Sequence, residues 1–211
     1  APYYDNGQTD EGLTVVYHGS QSGLSITPNW TAESDFTYSQ FGFSVARAGD
    51  VNGDGYSDII VGAYGISSGQ PDEGWSFVYH GSISGLSATP DWSAESNVSG
   101  ARFGYSVSTA GDINNDGYSD VIIGAPNYNN GQSDEGCSYL FHGSSSGLST
   151  SPDWTAESNQ IQANFGFSVA NAGDINNDGY SDVIIGSPFY ENGQLNEGAA
   201  FVYHGSSSGL P

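Results

Sequence analysis

The sequence predicts an all-β protein made of β-propeller blades, each of four short antiparallel strands. Three observations predict it. A unit of 62 residues recurs without insertion or deletion: His18, His80, His142 and His204 stand 62 apart, as do Asp50, Asp112 and Asp174, and Trp30, Trp92 and Trp154. Self-similarity at a fixed period of this kind marks a repeat architecture. Within each unit, short apolar runs alternate with clusters of Gly, Asn, Ser and Pro, the pattern of strands joined by turns. No segment carries a helical period of useful length.

The strands follow in order. The first is expected over Phe41–Ala46, with Phe41, Phe43 and Val45 on one face and Gly42, Ser44 and Ala46 on the other. The second, Asp58–Ala63, is a continuous apolar run, as in a strand buried on both faces. The third is expected over Ser76–His80 and the fourth around Trp92–Ser96. The ends are out of phase with the unit, because residues 1–24 align with 187–210. The expected division is therefore a partial blade of late strands (1–40), two blades (41–102 and 103–164) and a partial blade of early strands (165–211), all one propeller-type domain. A unit of 62 residues exceeds the roughly 40–50 of common propeller repeats, and the excess falls in loops.

The loop between the first and second strands carries the chemistry. It reads Asp50-Val-Asn52-Gly-Asp54-Gly55-Tyr56-Ser-Asp58, then Asp112-Ile-Asn114-Asn-Asp116-Gly117-Tyr118-Ser-Asp120, then Asp174-Ile-Asn176-Asn-Asp178-Gly179-Tyr180-Ser-Asp182. Side-chain oxygens occupy positions one, three, five and nine, and the carbonyl of Tyr56, Tyr118 or Tyr180 is available at position seven. Calcium takes six to eight oxygen ligands, and this spacing curls them about one point. Glycine at position six permits the sharp turn. The expected cofactor is Ca²⁺ at three sites, with magnesium disfavoured because it keeps more of its waters. An EF-hand is excluded, since its twelfth position is a bidentate Glu and here Val61, Ile123 and Ile185 stand there inside a strand. The bland alternative, an Asp- and Asn-rich turn, does not account for three intact copies.

These residues carry a family resemblance. Phe-Gly-x-Ser-Val opens at Phe41-Gly42, Phe103-Gly104 and Phe165-Gly166, and Gly62-Ala63-Tyr64, Gly124-Ala125-Pro126 and Gly186-Ser187-Pro188 follow the acidic loop. The chain resembles the FG-GAP repeats of the integrin α-subunit propeller along its whole length. The resemblance implies calcium in each acidic loop, ligands on the opposite face or between blades, and a role in adhesion; some related fungal propellers are lectins. It also implies seven blades in a closed ring, and this sequence encodes a little over three. A longer parent chain, or self-association into a ring or filament, is the expected completion.

Composition bounds the function. The chain has 211 residues with 24 acidic and 2 basic side chains, a formal charge of −22. Arg47 and Arg102 alone cannot neutralise a phosphate backbone or an anionic bilayer, so neither nucleic acid nor membrane insertion is expected. No apolar run reaches the 18 or so residues of a spanning helix. Cys137 has no disulfide partner in the chain, and by alignment with Leu13, Trp75 and Ala199 it reads as a buried small hydrophobe. No His-Glu-x-x-His or Cys–His signature is present, and no enzyme is expected. The chain opens at Ala1 with no charged leader, which fits a secreted or cell-surface protein after processing, or a piece of a longer one.

The remaining repeated residues have a structural and a functional reading each. The four histidines lie a blade apart and cannot converge on one zinc, so they read as strand-end residues. Trp30, Trp92 and Trp154 read as packing residues of the outer strand, with sugar stacking as the alternative. The loop Asn-Gly-Gln-x-Asp-Glu-Gly, at Asn6–Gly12, Asn130–Gly136 and in variant form at Ser68–Gly74 and Asn192–Gly198, reads as a solvated turn, with a ligand or second cation site as the alternative. Glu33, Glu95 and Glu157 are expected to be solvated or paired with strand-end donors. Asn29 and Asn97 sit in glycosylation triplets. The expected function is an extracellular calcium-binding propeller module for protein binding and adhesion. A lectin and a self-assembling structural subunit are the alternatives.

Overall fold

The computed structural model describes all 211 residues, and its regular structure is β throughout. The chain begins with β1 (Leu13–Val16), a small hairpin of β2 (Gly19–Ser20) and β3 (Gly23–Leu24), and β4 (Trp30–Glu33), which pairs with β1. Next comes a four-stranded sheet of β5 (Ser44–Gly49), β6 (Asp58–Ala63), β7 (Trp75–Tyr79) and β8 (Trp92–Glu95). A second four-stranded sheet follows, of β9 (Ser106–Gly111), β10 (Asp120–Ala125), β11 (Cys137–Phe141) and β12 (Trp154–Glu157). The chain ends in a three-stranded sheet of β13 (Ser168–Gly173), β14 (Asp182–Ser187) and β15 (Ala199–Tyr203). Spatial order follows chain order in each of these larger sheets, and all pairs are antiparallel. Each is a meander, as a propeller blade requires, and the blades form an open array.

The second strand of each unit is the most buried, as its unbroken apolar run requires: Ile60, Val61, Ile122 and Ile123 are fully buried. The first strand differs from expectation. Phe41 and Gly42 precede it, and strand pairing starts at Ser44. Phe41 bridges in parallel to Gly12 of the preceding unit, and Phe165 does the same to Gly136. Phe41, Phe103 and Phe165 are thereby pulled into the seams between blades, where each is at most 1% exposed. Burying a side chain of this size contributes about 1.5–3 kcal/mol. Phe43 and Val45 instead stay partly in water.

The glycines of both signature dipeptides have one steric cause. Ser44 Oγ donates to Gly104 O at 2.7 Å, and Ser106 Oγ donates to Gly166 O at 2.8 Å. Those carbonyls lie so close to Gly62 and Gly124 that a Cβ on either glycine would overlap the oxygen. The small residues are therefore the places where neighbouring blades touch backbone to backbone.

Trp30, Trp92 and Trp154 latch each blade to the next. Their indole N–H groups donate to Ser87 O, Ser149 O and Pro211 O, each at 2.8 Å. Their rings pack edge-on against Tyr79, Phe141 and Tyr203 at 4.8–4.9 Å. With one edge bonded and the ring packed, the indoles take the structural reading.

Candidate calcium-binding loops

The β5–β6 turn is built by local hydrogen bonds. The Asp54 N–H donates to Asp50 Oδ1 and Asn52 Oδ1, both at 3.0 Å. Gly55 N–H donates to Asp50 Oδ2 at 2.8 Å, and Tyr56 N–H to Asp54 Oδ1 at 2.9 Å. Asn52 Nδ2 closes the set onto Asp54 Oδ2 at 3.1 Å. The same five bonds recur around Asp112, Asn114 and Asp116 and around Asp174, Asn176 and Asp178, all between 2.8 and 3.2 Å. Gly55, Gly117 and Gly179 have φ of +88°, +95° and +92°, the left-handed turn that glycine permits without strain.

The ninth-position aspartates open the second strand of each unit. Asp58, Asp120 and Asp182 are fully buried. Asp58 accepts from Val51 N–H and Gly81 N–H, both at 2.8 Å, and Asp120 and Asp182 accept from the equivalent amides at 2.8–3.0 Å. Each thus ties its own loop to the end of the third strand. Burial pushes the Asp58 carboxyl above the usual range, against the pull of the Gly81 and Val51 amides. In Asp182 the same burial is outweighed by the Ile175 and Gly205 amides and by His204, and its carboxyl is held below that range. His142 Nδ1 and His204 Nδ1 each come within 3.2 Å of the buried aspartate of their own unit. This His–Asp contact was not visible in the sequence, because it joins residues 22 apart across two loops.

The donor set suits a hard cation. Every side-chain donor in the loop is oxygen, and a carboxylate oxygen that accepts one N–H keeps a lone pair for a metal. Positions one, three and five are gathered on one turn by their hydrogen bonds, while position nine is held separately by two backbone amides. Nowhere in the chain do three or more Asp, Glu, His or Cys side chains stand together as a metal-holding group: the three aspartates of each loop, expected to curl about one point, do not close on one.

The loops are strung together. The Ser119 N–H donates to Asp50 O at 2.9 Å, and the Ser181 N–H to Asp112 O at 3.0 Å. The Tyr118 ring lies over Gly53, leaving no room for a Cβ there.

A family model for the FG-GAP repeat matches residues 41–74, 103–141 and 165–203, just over half the chain. The chain belongs to the FG-GAP repeat family. It is 38% identical to integrin alpha-4 of Xenopus laevis over 185 residues, which is 85% of this chain and 17% of that protein. It is 31% identical to integrin alpha-V of Gallus gallus over 186 residues, 83% of this chain and 17% of that protein. It is also 33% identical to phosphatidylinositol-glycan-specific phospholipase D of Bos taurus over 211 residues, 94% of this chain and 25% of that protein. The FG-GAP chain thus spans between a sixth and a quarter of the length of these relatives.

At the end of the blades opposite the acidic loops, an aromatic arc crosses the array. Phe43 lies 4.6 Å from Tyr64 and 5.0 Å from Tyr105, and Tyr105 lies 5.1 Å from Phe167. Arg102 sits 5.7 Å over the Tyr64 ring. Phe43 and Phe167 are 37% and 42% exposed. The aromatic at the third position of each Phe-Gly-x-Ser-Val segment was the available signal for this surface.

Cys137 is 4% exposed, and burial pushes its thiol up to about 12. The string Gly-x-Ser-x-Gly occurs at Gly143–Gly147 and Gly205–Gly209, where Ser144 and Ser206 close polar turns onto Gly147 O and Gly209 O. No helix follows either turn, so neither is a nucleophile elbow. The Asn-Gly-Gln loop departs from a solvated turn: Glu11, Glu73 and Glu135 within it are at most 1% exposed. No helix in the chain is long and apolar enough to cross a membrane.

Proposed function

We propose that this chain is part of an extracellular, calcium-loaded β-propeller that binds protein ligands in adhesion. Calcium would be held by Asp50, Asn52, Asp54 and Asp58 with the Tyr56 carbonyl, by Asp112, Asn114, Asp116 and Asp120 with Tyr118, and by Asp174, Asn176, Asp178 and Asp182 with Tyr180. Bound there, the cation neutralises carboxylates that otherwise repel one another and fixes the turn between the first two strands. The carrying observation is the set of five hydrogen bonds repeated in all three loops, which preorganises the same oxygens each time. The aromatic arc is the surface offered to a protein partner, because partly exposed aromatics are the usual anchors of such contacts. The integrin relatives support the adhesive role. The phospholipase relative does not make this chain an enzyme, since the match covers only 25% of that protein.

Differential scanning calorimetry in calcium and in chelator tests the metal. A higher melting temperature in calcium is expected, because only the folded state presents the loops. Coincident curves would sink the proposal.

One observation favours self-association or a longer chain as a second reading. Ile175, Ile184 and Val202 on the last blade are 55%, 37% and 45% exposed, whereas Val51, Ile60, Val78, Ile113, Ile122 and Leu140 at the same repeat positions are fully buried. That bare face is shaped for another blade. Light scattering separates the two cases. A monomer in calcium points to further repeats in a parent chain, and an oligomer that dissociates in chelator points to assembly of copies.

A further inference from the structure

Each unit carries a second pair of acids, at the end of the blade away from the acidic loops. The first member lies in the loop between second and third strands (Glu11, Glu73, Glu135), and the other ends the outer strand (Glu33, Glu95, Glu157). Strand pairing sets Leu13 opposite Glu33, Trp75 opposite Glu95 and Cys137 opposite Glu157. The loop Glu precedes that cross-strand partner by two residues, so the chain enters the third strand with one acid just before the residue that pairs with the other.

Glu135 is fully buried and Glu11 is 1% exposed. One Glu135 oxygen accepts the Asn130 N–H at 2.5 Å, while Oε2 has no partner. Glu11 Oε1 likewise has none. The Asn130 side chain stands over the second acid, with Nδ2 at 3.2 and 3.3 Å from the two Glu157 oxygens. Asn6 Nδ2 stands at 2.9 and 3.1 Å from those of Glu33. Asn130 therefore touches both carboxylates of its pair. The ion pairs of the chain are all His–Asp contacts, so no side-chain cation compensates these acids. A buried carboxylate oxygen without donor or counter-charge is costly to leave that way.

We propose that Glu135, Glu157 and Asn130, and likewise Glu11, Glu33 and Asn6, form a second set of divalent-cation sites of the calcium class. The donors are oxygen only, which selects a hard cation. An amide flip turns Oδ1 of the Asn toward the ion in place of Nδ2. The outer acid and the Asn of each set line a groove, of about 390 Å³ at Asn130 and Glu157 and about 750 Å³ at Asn6 and Glu33, with Glu135 and Glu11 buried behind it. The grooves supply an entry path and room for the waters that complete a calcium shell.

The unit between them provides an internal contrast. There Ser68 replaces the Asn and Trp75 replaces the small or aliphatic residue beside the pair. Glu95 Oε2 is also without a hydrogen-bond partner there, and the Glu95 carboxyl is held above the usual range by burial first and by the neighbouring Glu73 carboxylate second. Without the Asn amide, that unit lacks the third side-chain oxygen of the other two sets. Glu197 of the last unit is exposed and has no outer-strand partner within the chain.

Equilibrium dialysis of the full chain against radioactive calcium tests the proposal, with folding of each variant checked by circular dichroism. Glu135→Gln is expected to bind one equivalent fewer than the unsubstituted chain. Glu157→Gln, at a half-exposed residue, should show the same loss even if the buried substitution fails to fold. The variant Asp50→Asn/Asp112→Asn/Asp174→Asn should keep the equivalents held by the two Glu–Glu–Asn sets. Unchanged stoichiometry in a folded Glu157→Gln overturns the proposal, and so does a folded loop variant that binds no calcium. A loop variant that binds as many equivalents as the unsubstituted chain would instead overturn only the acidic-loop sites.

Discussion

The backbone N–H of Ser119 donates to the carbonyl oxygen of Asp50 at 2.9 Å, and the Asp50 N–H donates to the Ser119 hydroxyl at 3.2 Å. Position eight of one acidic loop thus holds position one of the loop before it, 69 residues earlier. Neighbouring loops are ordered together. Ser119→Ala removes the side-chain half of this link and leaves the Asp50 amide without its partner, at a cost of about 1 kcal/mol. The expected result is a melting temperature lower by about 2–4 °C for a domain of this size. Calorimetry in chelator should show the same drop, because the bond does not need the metal.

The signature glycines make a sharper prediction. Gly62, Gly124 and Gly186 hold the same repeat position, but only the first two face a carbonyl of the following blade, Gly104 O and Gly166 O. Ala at Gly124 must push two blades apart, at about 1–3 kcal/mol. Ala at Gly186 meets only its own blade, chiefly the Ser168 hydroxyl, which can rotate away. Chemical denaturation should find Gly124→Ala clearly destabilised and Gly186→Ala close to the unsubstituted chain. Equal losses would mean the cost comes from within the blade.

The contrast between those two glycines also explains what could be read in advance. The acidic loops were legible because their bonds are local, from Asp54 N–H back to Asn52 and Asp50, and local spacing is what a sequence displays. The second strand was legible because Asp58–Ala63 is apolar on both faces. Phe41 was misplaced into a strand because its partner is Gly12 of the previous unit, and a repeat period does not say which residues of successive units touch. Glu135 read as solvated for a similar reason. Ser158 Oγ, 23 residues on, donates to its carbonyl at 2.7 Å and the loop folds over its own side chain.

The indole latch can be isolated from the packing of its ring. Trp92→Phe keeps an aromatic against Phe141 but removes the N–H donated to Ser149 O at 2.8 Å. Losing that donor costs about 0.5–1.5 kcal/mol, more if the carbonyl is left dry. Trp154→Phe removes the same bond to Pro211 O, at an exposed position where water replaces the donor. Denaturation midpoints should therefore fall further for Trp92→Phe than for Trp154→Phe. If both fell equally, the ring and not the hydrogen bond would be the latch.

Glu95 supplies the pH dependence. Its carboxyl is raised by burial first and by the Glu73 carboxylate second. An acid whose folded-state pKa lies above its unfolded value favours the fold in its protonated form. Its contribution is therefore most favourable at acid pH and declines as pH rises from the unfolded value of 4.5 through the raised folded value. Glu95→Gln keeps the shape of the side chain and removes the charge. Thermal melts at neutral pH should place the Gln variant above the unsubstituted chain, and the two curves should draw together as the pH is lowered past 4.5. A difference that stays constant with pH would show that the substitution acts through packing and not through the charge.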